Sequence, residues 1–332
     1  MRRRAFVLGG AALPFALRAS AQPAEKICRV GLILTSSPAS EMQGPQPAHP
    51  GVRSFLGEMR RLGYAEGKNF ILERRSAEGR YERFGEIVAG LLKLKPDALI
   101  TIGIPLTLAA RKLTASVPIV FVIAGAGDPV AAGVVPDLAH PGGNVTGFMS
   151  DPGPEIFGKR IEILNEAIPG LSRIAFLGLA AERDGKGVRS AEAAARKLGI
   201  AFFFAEARED GYGAAFAEIQ RQGAGAIVVG AHPFHYAHRA AIADFAARHR
   251  LADMHVYFAG AEAGGLLSYG FDSSGFRQVA EYLDRIFKGA KPGDLPVQQP
   301  TVFTLAVNLK AARARGLTIS QSVLLRADRV IE

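Results

Sequence analysis

Short apolar runs of β type alternate with amphipathic stretches of helical spacing from Ile27 almost to the end of the chain. Strands separated by helices cannot pair as hairpins, so this order calls for parallel sheets with crossover helices, an α/β fold. Ile27 to Thr35 reads as a buried strand, and Val52, Phe55, Leu56, Met59 and Leu62 follow at helical spacing, ended by Gly63. Phe70 to Arg74 is a second strand, with a helix face at Phe84, Ile87, Val88, Leu91 and Leu92. Ala98 to Ile102 and Ile119 to Ile123 are further strands, with a helix near Leu106 to Leu113 between them.

A second series starts after Gly142 to Gly147, a glycine-rich stretch suited to a chain crossing between domains. Ile174 to Leu179, Ala201 to Ala205, Ala226 to Gly230 and His255 to Phe258 read as strands. Helices are expected at about Gly187 to Leu198, Ala214 to Gln222 and Tyr236 to His249. Two βα arrays of similar length imply two like-folded, Rossmann-like lobes. The tail (strand Leu266 to Tyr269, helix Phe276 to Phe287, strand Phe303 to Val307, short helix to Arg315) supplies elements that return to each lobe. The expected division is 22–147 with about 268–301 for the N-terminal lobe, and 148–267 with about 302–332 for the other. A cleft with a multi-strand hinge lies between them.

Residues 1–21 carry a cationic start, Arg2-Arg3-Arg4, an apolar run from Ala5 to Leu17 and an Ala19-Ser20-Ala21 cleavage box. That order is an export signal, with Gln22 as the expected mature start and a twin-arginine look to Arg3-Arg4-Ala5-Phe6-Val7. No cysteine stands directly after the box, where a lipid anchor would attach, so the mature protein is expected to be untethered in the periplasm. Cys28 alone allows no intramolecular disulfide, and between Ile27 and Val30 it reads as a core thiol. The formal charge of +9 falls to +5 once the signal is removed. Its basic residues are spread along helical faces, which argues against a nucleic-acid partner.

Signatures of chemistry fail on inspection. Gly153 to Lys159 has P-loop spacing, but Arg160 stands where a Ser or Thr would hold magnesium. Gly125-Ala126-Gly127 lacks the third glycine of a dinucleotide fingerprint, and Leu266 replaces the first glycine of a nucleophile elbow around Ser268. His232, His235 and His238 have no Cys or close carboxylate to complete a metal set. We therefore expect no cofactor, no metal and no enzyme, with a hydrolase using Glu262 or Asp128 as the remote alternative.

Ligands of open α/β sheets bind at the carboxyl ends of the strands. The turns there are Thr35-Ser36-Ser37, Gly103 to Thr107 (with Ile104) and Ala124 to Asp128 on one side. Opposite lie Leu179 to Glu182 (with Ala180), Gly230 to Phe234 (with His232) and Phe258 to Glu262. Ser36, Ser37 and Thr107 are candidate hydroxyl or helix-start contacts for an anionic group, and Asp128 is placed near the cleft. His232, Phe234 and Phe258 are candidate walls, with Glu262 as partner for an ammonium. Each turn could equally be an ordinary cap.

Gly125 to Val130, Pro141 to Gly147, Gly264 to Gly270, Leu295 to Thr301, Asn308 to Ala312 and Leu325 to Glu332 together resemble the ABC transporter substrate-binding protein family of the tryptophan-binding type. The resemblance covers nearly the whole mature chain in family order. It implies a type I periplasmic binding protein architecture, three crossing segments and a small ligand, aromatic or carboxylate-bearing, enclosed by hinge closure. It also implies a monomer that meets the membrane only through an ABC permease with a cytoplasmic ATPase; an exported sensor for a receptor is the alternative. The chain departs from that family in the Pro- and Gln-rich segment Pro38 to Pro50, in His232 and His235, and in Ala180-Ala181.

Overall fold

The computed structural model describes residues 27–332 apart from 124–126, 151–152, 209, 272–274 and 301. The export signal at 1–21 and the Gly125-Ala126 pair lie outside the described residues.

Among the described residues the strands form two sheets. The first contains β1 (Cys28–Leu34), β2 (Phe70–Ser76), β3 (Ala98–Ile102), β4 (Ile119–Ile123) and β5 (Val145–Met149) in the order β2-β1-β3-β4-β5. All its pairings are parallel. Its helices are α1 (Pro50–Arg61), α2 (Phe84–Leu92) and α3 (Ile104–Leu113). Alternate residues of each strand face opposite sides of a sheet. Val30, Leu32, Ile100 and Val120 accordingly pack with Phe55 and Met59 of α1. Ile33, Leu99, Ile119 and Phe121 pack with α2 and α3 on the other face.

The second lobe has α4 (Glu155–Ala167), β6 (Arg173–Leu179), α5 (Lys186–Lys197), β7 (Ala201–Ala207), α6 (Gly213–Arg221) and β8 (Ala226–Val229). There follow α7 (Pro233–Ala237), α8 (Arg239–Arg248), β9 (Ala252–His255), α9 (Phe258–Glu262) and β10 (Leu267–Gly270). The chain then forms α10 (Gly275–Phe287), β11 (Thr304–Asn308), α11 (Leu309–Arg315), α12 (Gln321–Arg326) and β12 (Arg329–Ile331). The sheet order is β12-β11-β10-β9-β8-β6-β7, with β10 and β11 antiparallel and the rest parallel.

The chain passes between the lobes after Met149, after Gly270 and before Thr304. Phe148 and Met149 thus lie in the first sheet and Ser268 to Gly270 in the second, a few residues beyond the divisions expected at 147 and 268. α10 returns to the first lobe, where Val279, Ala280 and Leu283 join the core beside α1. Gln298 adds a short bridge to Phe148 at the edge of β5.

Three elements differ from expectation for physical reasons. The strand expected at His255 to Phe258 is β9, three residues earlier, because fully buried Asp253 breaks its apolar pattern. The glycine-rich Gly142 to Gly147 includes the start of β5. A Cβ at Gly147 would sit 2.3 Å from the Phe121 carbonyl, so glycine here serves close strand packing. The single helix expected from Tyr236 to His249 is two, broken at His238.

Candidate functional site

Two adjoining chambers occupy the cleft where strand ends of both lobes meet. The first has a cavity volume of about 110 Å³. Thr35, Ser36 and Ser37 close it on one side, and Tyr236, Tyr257, Phe258 and Phe276 supply aromatic walls. The second, of about 380 Å³, is lined by Tyr81, the start of α3, the start of α5, Glu182 and His232. Thr35, Ile102, Ala231 and Pro233 border both.

The hydroxyls of Thr35 and Ser36 are buried and have no hydrogen-bond partner among the described residues. An unpaired buried hydroxyl costs about 1–3 kcal/mol. Both lie in the turn after β1, and both residues line the first chamber.

Two helices begin in the second chamber without a side-chain cap. Gly103 precedes α3 with φ of 87°, a conformation that favours glycine, and Gly185 precedes α5. Their amino ends, one from each lobe, carry positive dipole ends that favour an anion, although Pro105 in the first turn of α3 has no N–H to donate. Thr107, expected as a ligand contact, is instead fully buried, because its Oγ1 donates to the Gly103 carbonyl at 2.8 Å and meets Thr101 Oγ1 at 2.9 Å. It holds the turn and does not reach the cavity.

The remaining expected residues separate in the same way. Ile104 and His232 line the second chamber, and Phe258 and Glu262 the first. Glu262 is an exposed residue, at the end of α9. Asp128 is exposed and caps its own turn, accepting from the N–H groups of Val130 and Ala131 at 2.9 and 3.0 Å. Ala180 is exposed outside both chambers, while Ala181 and Glu182 face the second. Phe234 is buried against Tyr212, with ring centroids 5.3 Å apart, and borders only an outer groove with Glu78 and His238. The P-loop-like Lys159 is exposed and pairs with Glu162, while Arg160 is buried and donates to the Tyr269 carbonyl at 2.8 Å.

His49, Tyr236 and Tyr257 were not anticipated at the cleft, and Glu182 was expected only as the end of the turn from Leu179. His49 is the N-cap of α1: its Nδ1 accepts from the Val52 N–H at 3.3 Å. Pro50 in the first turn was the available signal, but His is an unusual cap. Burial, then the nearby Arg239 and Arg53 charges, push its pKa down to about 3. His232 caps α7 likewise, with Nδ1 accepting from the Phe234 N–H at 3.2 Å, and burial pushes it down to about 4 against the pull of Glu182. Both rings are thus neutral, with hydrogen on Nε2.

Cross-lobe contacts tie the cleft together. Tyr81 Oη lies 3.4 Å from His232 Nε2. The His49 ring lies 5.2 Å from that of Tyr236, and Ser150 Oγ is 3.3 Å from Tyr257 Oη. Behind the second chamber, His235 Nε2 is 2.9 Å from Glu182 Oε2 and its Nδ1 is 2.8 Å from Tyr212 Oη. Burial alone would raise the Glu182 carboxyl, but His235 and the Leu179 N–H hold it below the usual range. The three histidines of the expected cluster are engaged separately, His238 donating from Nδ1 to the Phe234 carbonyl at 2.9 Å.

A second buried network fixes β9 and β10. Asp253 accepts from Arg315 and from the Leu266 N–H, both at 2.6 Å, and meets His255 Nε2 at 2.9 Å. Arg315 also donates to the carbonyls of Leu251 and Gly264, both at 2.8 Å. This network sets the register from which Tyr257 and Phe258 enter the cleft.

A family model described as ABC transporter substrate binding protein matches residues 49–331. The chain belongs to that family. A curated tyrosine-binding protein of Clostridioides difficile (strain R20291) is 30% identical over 103 residues, which is 30% of this substrate binding protein but only 29% of that relative's length. A conserved domain protein from Vibrio cholerae O1 biovar El Tor superposes with a TM-score of 0.76 at 26% identity, over 92% of this chain and 100% of the other. A Streptococcus pneumonia ABC domain in complex with L-Trp superposes at 0.75 with 22% identity, over 91% and 100% of the two chains. These likenesses place the α/β lobes in the type I periplasmic binding protein architecture, and the family places the protein's work in solute binding.

Proposed function

We propose that this substrate binding protein captures a small carboxylate-bearing aromatic solute, an amino acid being the simplest, in the interlobe cleft. The observation that carries this reading is the pair of buried, unpartnered hydroxyls of Thr35 and Ser36 beside an aromatic chamber. The ring lies in the first chamber. The carboxylate meets the open amino ends of α3 and α5 and the Thr35 hydroxyl, and Glu182 offers Oε1 to an ammonium. Contacts from both lobes exist together only in the closed form, so the ligand shifts the population toward closure.

The closed form is presented to a membrane permease with a cytoplasmic ATPase. Residues 1–21 act as the export leader to the periplasm. The relatives named for tyrosine and complexed with L-Trp agree with an aromatic ligand. Titration of the refolded, ligand-stripped protein with aromatic amino acids tests the reading. Micromolar or tighter binding with a raised melting temperature is expected, and no binding by any of them overturns it. Sequencing the amino terminus of the exported protein should give Gln22.

A further inference from the structure

The first chamber holds a polar group that its apolar walls leave conspicuous. His49 is 4% exposed and lines the chamber, its ring lying between Tyr236 at 5.2 Å and Phe276 at 6.0 Å. Its Nδ1 is committed as acceptor to the Val52 N–H, so the hydrogen of the neutral ring is on Nε2. No hydrogen bond from that N–H is made among the described residues, and, unlike the Thr35 and Ser36 hydroxyls, the atom is not sealed off from solvent. The segment from Ala39 to Met42, with Met42 fully buried and the His49 N–H bonded to the Glu41 carbonyl at 2.9 Å, fixes the residue from the other side. A rigid donor of one tautomer, held beside aromatic rings, loses free energy when a ligand displaces its water and offers it nothing in return.

We infer that His49 is a specificity-determining donor that selects aromatic ligands bearing a hydrogen-bond acceptor on the ring, such as a phenolic oxygen or a ring nitrogen. The inference rests on the proposed placement of the ring in the first chamber. A ligand with a bare ring leaves the N–H unpaired, and that loss is what the selection reads.

Three probes share one head group: L-tyrosine, L-phenylalanine and 4-pyridylalanine, the last an acceptor without a donor. Calorimetric titration of the wild-type protein should show tyrosine and 4-pyridylalanine binding at least about ten-fold more tightly than phenylalanine. His49→Asn keeps an oxygen to cap α1 but withdraws the ring donor, and should reduce the preference to within about two-fold. His49→Phe, which keeps a ring and loses both nitrogens, should do the same. Equal wild-type affinity for phenylalanine and the other two overturns the inference while leaving the cleft reading intact. So does a ten-fold preference that survives in either variant. Failure of all three to bind overturns the cleft reading and this inference with it.

Discussion

His49 and Tyr236, from opposite lobes, meet ring to ring across the cleft at 5.2 Å. Each is positioned by a local device: His49 by capping α1, Tyr236 by the short helix α7 that another histidine, His232, caps. The two lobes therefore meet across the cleft at two contacts made by capping histidines, the second through Tyr81.

Tyr81→Phe removes the contact with His232 Nε2 without removing the ring that packs on Phe84 at 5.3 Å. A partly exposed hydrogen bond contributes about 0.5–1.5 kcal/mol. Ligand dissociation should quicken a few-fold in stopped-flow displacement, with melting temperature nearly unchanged. An unaltered off-rate would show that this contact does not gate opening.

Thr35→Val should separate stability from affinity. In the ligand-free protein the substitution removes an unsatisfied buried hydroxyl, so melting temperature should hold or rise. Affinity for the aromatic amino acids should fall about ten-fold, since the partner for that hydroxyl comes with the ligand. A drop in apo stability together with unchanged binding would contradict both halves.

Acidification should weaken the fold. His49 and His232 are depressed to about 3 and about 4 from an ordinary 6.5. As pH falls through 6.5 the unfolded chain takes up protons that the folded chain refuses, so stability is full above that value and declines down to the folded pKa values. At pH 5 the two together account for on the order of 4 kcal/mol as an upper bound. Denaturant midpoints measured from pH 7.5 to 4 should show the slope, and His49→Asn should flatten it. Glu182 and Asp253, held below the usual carboxylate range, would add their loss only as pH falls below about 4.5.

Asp253→Ala leaves the Arg315 guanidinium buried without its carboxylate. Removing one partner of a buried pair costs about 3–5 kcal/mol. Melting should fall by several degrees, and ligand affinity should fall too, because β9 leads directly into Tyr257 and Phe258. Arg315→Met combined with Asp253→Asn should restore part of the stability. If the double variant is as unstable as the single, the charge pair is not the source.

Most of the architecture was legible because buried parallel strands read as apolar runs: β3 and β4 lie where the runs at Ala98 and Ile119 place them. β9 was misplaced because Asp253 owes its position to Arg315, 62 residues away, and no local pattern carries that pairing. At the cleft, the strand-end turns read from sequence place Thr35, Ser36 and Phe258 on the lining of the first chamber. Thr107 and Asp128 are instead engaged by their own turns, Thr107 buried and Asp128 exposed, the local bonding that short polar side chains can always take. His49 was invisible because it comes from a loop between strand and helix, and its approach to Tyr236 depends on how the two lobes meet.

The return of α10 to the first lobe has a temporal side. A chain that emerges amino end first completes the first sheet at Met149, yet the face built by Val30, Leu32 and Val120 lacks Val279 and Leu283 until residue 287 is made. For nearly half of its synthesis the first lobe thus presents an apolar face covered by α1 alone and open where α10 will pack, the kind of surface a chaperone holds.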